Sequence, residues 1–320
     1  MHIGLIGLGK MGLPMRERLR SKGIQVSGFD RNPVLSDAGS LTELASLLTV
    51  PRIVWVMVPS GGATTAVITD LAEVLDEGDL VIEGGNSRYT DDRQHAAQLA
   101  ARGIRYLDCG VSGGIWGRES GYGLMVGGEA ADVAEAIPVF DALRPDGQRA
   151  DGFVHAGATG AGHYAKMVHN GIEYGLMQAY AEGYELLESQ EIIADVPGIL
   201  RAWQSGTVIR SWLLELAVRA VQEDPGLLRI AGFVEDSGEG RWSVEEALAA
   251  EVPAPVISAA VFARFTSRQD DSPAMKLVAA LRGQFGGHAV KQADRQDGPE
   301  PAERPQSAAE QAIGETGAPE

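Results

Sequence analysis

Between Gly160 and Tyr174 the chain reads Gly-Ala-Gly-His-Tyr-Ala-Lys-Met-Val-His-Asn-Gly-Ile-Glu-Tyr, a stretch dense in groups that titrate or hydrogen-bond. At about 100° per residue, Glu173 lies two turns beyond Lys166 and only about 20° off its azimuth, with Asn170 between them. One helix face would therefore carry an amine, an amide and a carboxylate. An exposed Lys and Glu on a solvated helix is the commoner arrangement, and spacing alone leaves that alternative open. The density of polar groups among Gly-rich turns weighs against it.

Two other segments offer hydrogen bonds: Glu83-Gly84-Gly85-Asn86-Ser87 and Val111-Ser112-Gly113-Gly114. Each follows a β-rich run, and in an open α/β sheet ligands bind outside the carboxyl ends of the strands. Asn86 and Ser112 suit hydroxyls or a carboxylate, while Gly113 and Gly114 expose N–H groups to an anion. Either segment alone would be a turn.

Gly7-Leu8-Gly9-Lys10-Met11-Gly12 stands after the first β-run and opens the first helical stretch, the context in which GxGxxG means dinucleotide binding. The first glycine permits the turn, the second lets backbone N–H groups approach a pyrophosphate, and the third allows close helix–strand packing. Asp30, at the end of the second run, is placed to accept both hydroxyls of an adenosine ribose and would repel a 2'-phosphate. NAD is favoured over NADP. Two readings remain beside this one: Asp30 as no more than the start of the turn Asp30-Arg31-Asn32-Pro33, and Arg31 as a partner for a 2'-phosphate. The expected cofactor contacts are Gly7, Leu8, Gly9, Met11, Gly12, Asp30, Arg31, Val58 and Asn86.

These residues need elements to hold them. β-rich runs at His2–Ile6, Gln25–Phe29, Ile53–Val58, Leu80–Glu83 and Arg105–Cys109, with weaker ones at Tyr122–Val126 and Gly152–Val154, alternate with amphipathic stretches such as Met11–Lys22. That alternation implies βαβ units and a mostly parallel, doubly wound α/β sheet of Rossmann type over residues 1–159. From 160 to 290 helical spacing takes over, at Ala161–Gln190, Pro197–Glu223 and Val244–Glu251, predicting an all-α domain. Residues 291–320 are rich in Pro, Gly, Ala, Gln and Glu with almost no large apolar side chain, predicting a disordered acidic tail.

A chain of 320 residues is long for one domain and suggests two. The net charge of −17 argues against nucleic acid or an anionic membrane as partner, and makes clustered cations informative. No apolar run approaches the roughly 20 residues needed to span a bilayer. Met1 leads directly into an apolar run without a signal-type leader, so a cytoplasmic location is expected. The single Cys109 precludes an internal disulfide framework and any CxxC metal site, and reads as a packed small hydrophobe. No metal site is expected.

Taken together, GLGKMG (7–12), EGGNS (83–87), VSGG (111–114), KMVHNGIEYG (166–175), VFAR (261–264) and RGQFGGH (282–288) resemble the 6-phosphogluconate dehydrogenases of the β-hydroxyacid dehydrogenase superfamily, in the family's order over residues 1–290. The run KMVHNGIEYG is the most specific piece. The resemblance implies oxidative decarboxylation of 6-phosphogluconate, with Lys166 as general base, Glu173 as the acid that protonates the enediol, and Asn170 beside them. A lysine serves as base only if desolvation or neighbouring cations lower its pKa. The resemblance also implies that Asn86, Ser112, Gly113, Gly114, His169 and Asn170 orient the sugar acid, and that Tyr174 and Arg264 meet its phosphate, with Arg282 and His288 reaching it from a neighbouring subunit of a homodimer or homotetramer.

Some residues depart from the pattern. Long members carry a second helical half that this chain lacks, and a Lys-Gly-Thr-Gly segment where Ser237-Gly238-Glu239-Gly240-Arg241-Trp242 stands here, which removes a cation and adds an acid. Pro59 stands where long NADP-using members have a lysine, in agreement with NAD use. Two rivals remain. A dehydrogenase of another small 3-hydroxy acid would use the same lysine and need neither Arg264 nor Glu173. A non-catalytic NAD-binding regulator would keep the fold alone.

Overall fold

The computed structural model describes residues 1–286 and 289–291, so the expectations for His288 and for the tail beyond residue 291 lie outside the described residues. The chain falls into two compact units, Met1–Arg268 and a second from Gln269 onward.

The first unit begins with β1 (His2–Ile6), α1 (Gly12–Ser21), β2 (Gln25–Phe29), α2 (Leu41–Ser46), β3 (Ile53–Val56), α3 (Gly62–Val74), β4 (Leu80–Glu83), α4 (Tyr89–Ala100), β5 (Arg105–Ser112), α5 (Gly117–Ser120), β6 (Gly123–Gly128), α6 (Ala130–Leu143) and β7 (Phe153–Gly157). They build one seven-stranded sheet in the order β2-β1-β3-β4-β5-β6-β7. All pairs are parallel except β5 with β6. Because helices cover both faces, the central strands β1, β3 and β4 bury both sets of side chains. Ile3, Leu5, Trp55, Leu80 and Ile82 point into one core, and Ile6, Val54, Val56 and Val81 into the other. The strand order reverses between β1 and β3, the switch point beside which such folds bind ligands.

β5 runs three residues beyond its predicted end at Cys109, because β6 pairs antiparallel with it as far as Ser112 opposite Gly123. Ser112 is thus fixed on a strand rather than in a turn.

The helical part follows with α7 (Ala161–Glu188), α8 (Val196–Trp203), α9 (Trp212–Glu223), α10 (Glu239–Ala249) and α11 (Pro255–Thr266). At 1.5 Å per residue, the 28 residues of α7 extend about 42 Å. Its N-terminal half packs on β5 and β6, and two glycines allow it: a Cβ on Gly110 would meet the Gly162 carbonyl oxygen at 2.7 Å and the Lys166 side chain closer still. Asp108 of β5 fixes the helix start, its two carboxylate oxygens accepting the N–H groups of Gly160 (2.6 Å) and His163 (2.9 Å). A carboxylate there also complements the helix dipole. The C-terminal half of α7 joins α8 and α9 around a small core of Leu200, Leu214 and Val218 with Tyr180 and Tyr184.

The single helical stretch predicted over Pro197–Glu223 is two helices. Gly206, at φ +76°, turns the chain, and Ser211 caps a new start by accepting the N–H of Leu214. The helix predicted over Val244–Glu251 is α10, which begins five residues earlier at Glu239: Gly238 takes φ +108° just ahead of it, and only glycine fits at 240 because a Cβ there would run into the Tyr174 ring. In the second unit, α12 (Pro273–Gly286) follows Asp271, which pairs with Lys276. No helix among the described residues is long and apolar enough to cross a membrane.

Candidate active site

A cleft of about 1110 Å³ opens where the ends of β1, β3, β4 and β5 face α7. On the sheet side lies the β1–α1 loop. Gly7 sits at φ +90°, where a side chain would strike the Met57 backbone, and a Cβ on Gly12 would run into the Gly7 carbonyl. Gly9 differs: nothing lies within 4 Å of where its Cβ would be, and it lines the cleft together with Met11, Gly12 and Val58. The start of α1 carries no side-chain cap, which leaves the N–H of its first residue, Gly12, to an anion, while that of Leu13 donates to the Gly9 carbonyl. The loop thus has the shape and donors a pyrophosphate requires.

Asp30 is tied to this loop. Its Oδ2 accepts the Leu8 N–H at 2.7 Å and its Oδ1 the Asn32 N–H at 2.8 Å. Both expectations for it are thereby compatible, since it starts the turn and each oxygen keeps a further lone pair for a ribose hydroxyl. Leu8 itself is buried and offers only its backbone, and Arg31 is exposed.

Across the cleft, α7 brings Lys166, His169, Asn170 and Glu173 to the lining, facing Asn86, Ser112, Gly113 and Gly114. The sequence-derived face is therefore assembled as expected. Lys166 Nζ donates to Asn170 Oδ1, which also lies 2.9 Å from His169 Nδ1. His169 stands 3.5 Å from Ser112 Oγ and 3.8 Å from a Glu173 oxygen. Burial pushes the Lys166 amine below its ordinary value, and the Glu173 and Glu239 carboxylates pull it partly back. A half-hidden amine of lowered basicity, next to a more open carboxylate, is a pair suited to taking a proton in one step and giving one in another.

Glu239 was missed from sequence. It lines the cleft at 2% exposure, and its Oε1 accepts from the side-chain amides of both Asn86 and Asn170, the latter at 2.8 Å. The sequence marked it only as an extra acid; no local spacing connects it to Asn170, 69 residues away. The rim was missed as well. Ile115 and Trp116, after β5, face Trp212, Leu213 and Leu216 of α9, and the Arg219 guanidinium stacks 4.9 Å from the Trp116 ring.

Behind the Asn86 loop, His163 is buried between Asp92, 2.8 Å away, and Glu83, 3.7 Å away. Burial alone would push its imidazole down, but the two carboxylates raise it to about 10. Glu83 Oε1 in turn holds the Gly85 N–H at 2.7 Å. Glu83, Asp92 and His163 offer potential metal-ligand atoms within 4.8 Å of one another, and the two carboxylates around the imidazole also make the trio a buried ion-pair cluster.

Tyr174 and Arg264 are not among the residues that line the cleft. The Tyr174 ring is buried, with its hydroxyl lacking a partner among the described residues, and the Arg264 guanidinium lies over it at 3.4 Å while donating to the Glu235 carbonyl. Arg282 is exposed on α12.

Comparison with known proteins agrees with this geometry. Residues 2–157 match the NAD-binding domain of 6-phosphogluconate dehydrogenase, and residues 162–274 match the 6-phosphogluconate dehydrogenase C-terminal domain. The chain is 42% identical to an NAD(+)-dependent, decarboxylating 6-phosphogluconate dehydrogenase of Haloferax volcanii, over 92% of this chain and 100% of that one. It is 43% identical to Bacillus subtilis YqeC, provisionally named as such a dehydrogenase, over 91% of this chain and 99% of the relative. A Plasmodium falciparum 6-phosphogluconate dehydrogenase, solved in its apo form and in complex with NADP+ and with 6-phosphogluconate, aligns with a TM-score of 0.76 and 25% identity, covering 93% of this chain and 67% of its own.

Proposed function

Because this chain belongs to the 6-phosphogluconate dehydrogenase family, we propose that its cleft converts 6-phosphogluconate to ribulose 5-phosphate and CO2 with NAD as oxidant. The observation that carries the mechanism is the Lys166, Asn170 and Glu173 face turned toward the glycine loop across one cleft. NAD held along the Gly7–Gly12 loop, with Met11 and Val58 beside it, would supply the hydride acceptor for C3 of the substrate. Lys166, made less basic by burial, takes the proton of the 3-hydroxyl in the same step. Asn170 holds the amine through its Oδ1. The protonated Lys166 then gives its proton to the new ketone oxygen as the carboxylate leaves as CO2, and Glu173 delivers a proton to C1 of the resulting enediol while Lys166 takes back the hydroxyl proton as the product ketone forms. Asn86, Ser112, His169 and the N–H groups of Gly113 and Gly114 orient the sugar acid.

Use of NAD is supported by the Asp30 carboxylate at the end of β2, which disfavours a 2'-phosphate, and by the NAD(+)-dependence in the name of the haloarchaeal relative. We assign residues 1–159 to cofactor binding and 160–290 to substrate binding and assembly. The setting we propose is a cytoplasmic homodimer or homotetramer in which Arg282 and His288 come from a neighbouring subunit and join Tyr174 and Arg264 at the phosphate. Support for assembly comes from Met275, Leu277, Val278 and Leu281, apolar side chains that α12 leaves exposed.

The test is cofactor reduction followed at 340 nm with 6-phosphogluconate and NAD or NADP, with released CO2 measured in parallel. Reduction of NAD, faster than NADP and matched by CO2, is expected. Reduction without CO2 would overturn the decarboxylation, and a preference for NADP would overturn the role of Asp30.

A further inference from the structure

Glu239 is a buried carboxylate held by two amides from two other elements. Asn86 follows β4, Asn170 sits in the middle of α7, and Glu239 opens α10. Its Oε1 accepts both side-chain N–H groups, while Oε2 is buried and has no partner among the described residues. An amide has two different ends, an NH2 donor and a carbonyl acceptor, whereas a carboxylate only accepts. Facing Glu239, both asparagines must therefore turn their NH2 groups inward. For Asn170 the opposite end is then fixed: Oδ1 points to Lys166 Nζ and His169 Nδ1.

That polarity matters to a base. A neutral lysine amine has two N–H groups and one lone pair. An amide oxygen beside it accepts one N–H and leaves the lone pair for the substrate's proton. A flipped amide would donate into that lone pair and compete with the substrate. We propose that Glu239 is a positioning residue for the dehydrogenation step, setting the amide polarity of Asn170 and Asn86 so that the Lys166 lone pair stays open to the 3-hydroxyl. The inference rests on the assignment of Lys166 as the base. It carries an electrostatic consequence as well, because the Glu239 charge favours the protonated lysine and so opposes the effect of burial.

The informative change is Glu239→Gln, which keeps size and one acceptor but removes the charge and no longer dictates how its neighbours face. The expected result is a fall in kcat of about ten- to a hundredfold, the scale of a mispositioned acid–base group. The acidic limb of the kcat/KM profile should also move down by at least about half a pH unit, the size of one lost partly screened charge a few Å away. The apo protein gives a second readout: the pH midpoint of Lys166 acylation, followed by peptide mass mapping, should move in the same direction without any need for turnover. Glu239→Ala, which removes both oxygens, should lower kcat further.

A Glu239→Gln protein whose limb and acylation midpoint both match the wild type would overturn the proposal, even with lowered kcat, since an anchoring role alone would cost activity without moving either. Lys166→Met separates the two ideas. Retained turnover in Lys166→Met would overturn the base assignment itself, whereas loss of turnover there together with an unmoved Glu239→Gln profile would overturn the role of Glu239 alone.

Discussion

Gly110→Ala is a single added methyl group that should act on chemistry one residue layer away. Its Cβ would sit 2.7 Å from the Gly162 carbonyl oxygen, about 0.7 Å short of the 3.4 Å at which ordinary contact begins, and closer still to the Lys166 side chain. The obstacles are the backbone of α7 and the root of the lysine, not a flexible tip, so α7 must lift from β5 by at least that distance. Overpacking of this kind costs about 1–3 kcal/mol. Since a misplacement of about 1 Å at a reacting group lowers rate by roughly a hundredfold, a shift of about 0.7 Å should lower kcat by tenfold or more. Gly9→Ala is the contrasting change, because nothing lies within 4 Å of its Cβ. Urea unfolding and steady-state kinetics on both proteins form the assay. Gly110→Ala is expected to lose stability and kcat with KM for NAD little altered, and Gly9→Ala to keep its stability while KM for NAD rises. A Gly110→Ala enzyme within about threefold of wild-type kcat would refute the claim that β5 sets the position of Lys166.

Three further outcomes are expected. Lys166→Met should abolish turnover while NAD still quenches tryptophan fluorescence; in the wild type, activity should fall as pH drops through a lysine pKa lowered by burial, at a pH below the ordinary 10.5. His163→Ala should cost about 3–5 kcal/mol by leaving Asp92 and Glu83 buried without their cation, read by urea denaturation. As His163 is raised from 6.5 to about 10 in the folded protein, its contribution is fully present below pH 6.5 and is lost as pH rises toward 10, so the gap between mutant and wild type should narrow over that window. Arg264→Ala should raise KM for 6-phosphogluconate strongly with NAD binding near normal; an unchanged KM would remove Arg264 from the phosphate site.

Features governed by local periodicity were legible in the sequence. The strands of the sheet and the turn at Gly7 to Gly12 follow from alternation and glycine spacing, and the Lys166 face follows because 3.6-residue periodicity fixes which side chains of one helix meet. What depended on distant partners was not legible. Ser112 belongs to a strand because Gly123 pairs with it, and position 240 is glycine because the Tyr174 ring fills the space a side chain would need. Glu239 enters the site only once α10 has docked on α7, and Asp108 is recognisable as a helix cap only when β5 and α7 are adjacent.

The long helix α7 has a consequence for how the cleft admits and releases its ligands. The segment bearing Lys166 is tied to the sheet, held by Asp108 at its start and seated against Gly110. The far wall is made differently: Trp116 and Trp212 are partly exposed, on a short turn and a separate helix, joined across the mouth by the stacked Arg219. Regions with few buried contacts open at the lowest free-energy cost. If Lys166 acts as proposed, changes at Trp116 or Arg219 are expected to alter the product-release rate in stopped-flow traces while leaving the pH dependence set by Lys166 unmoved.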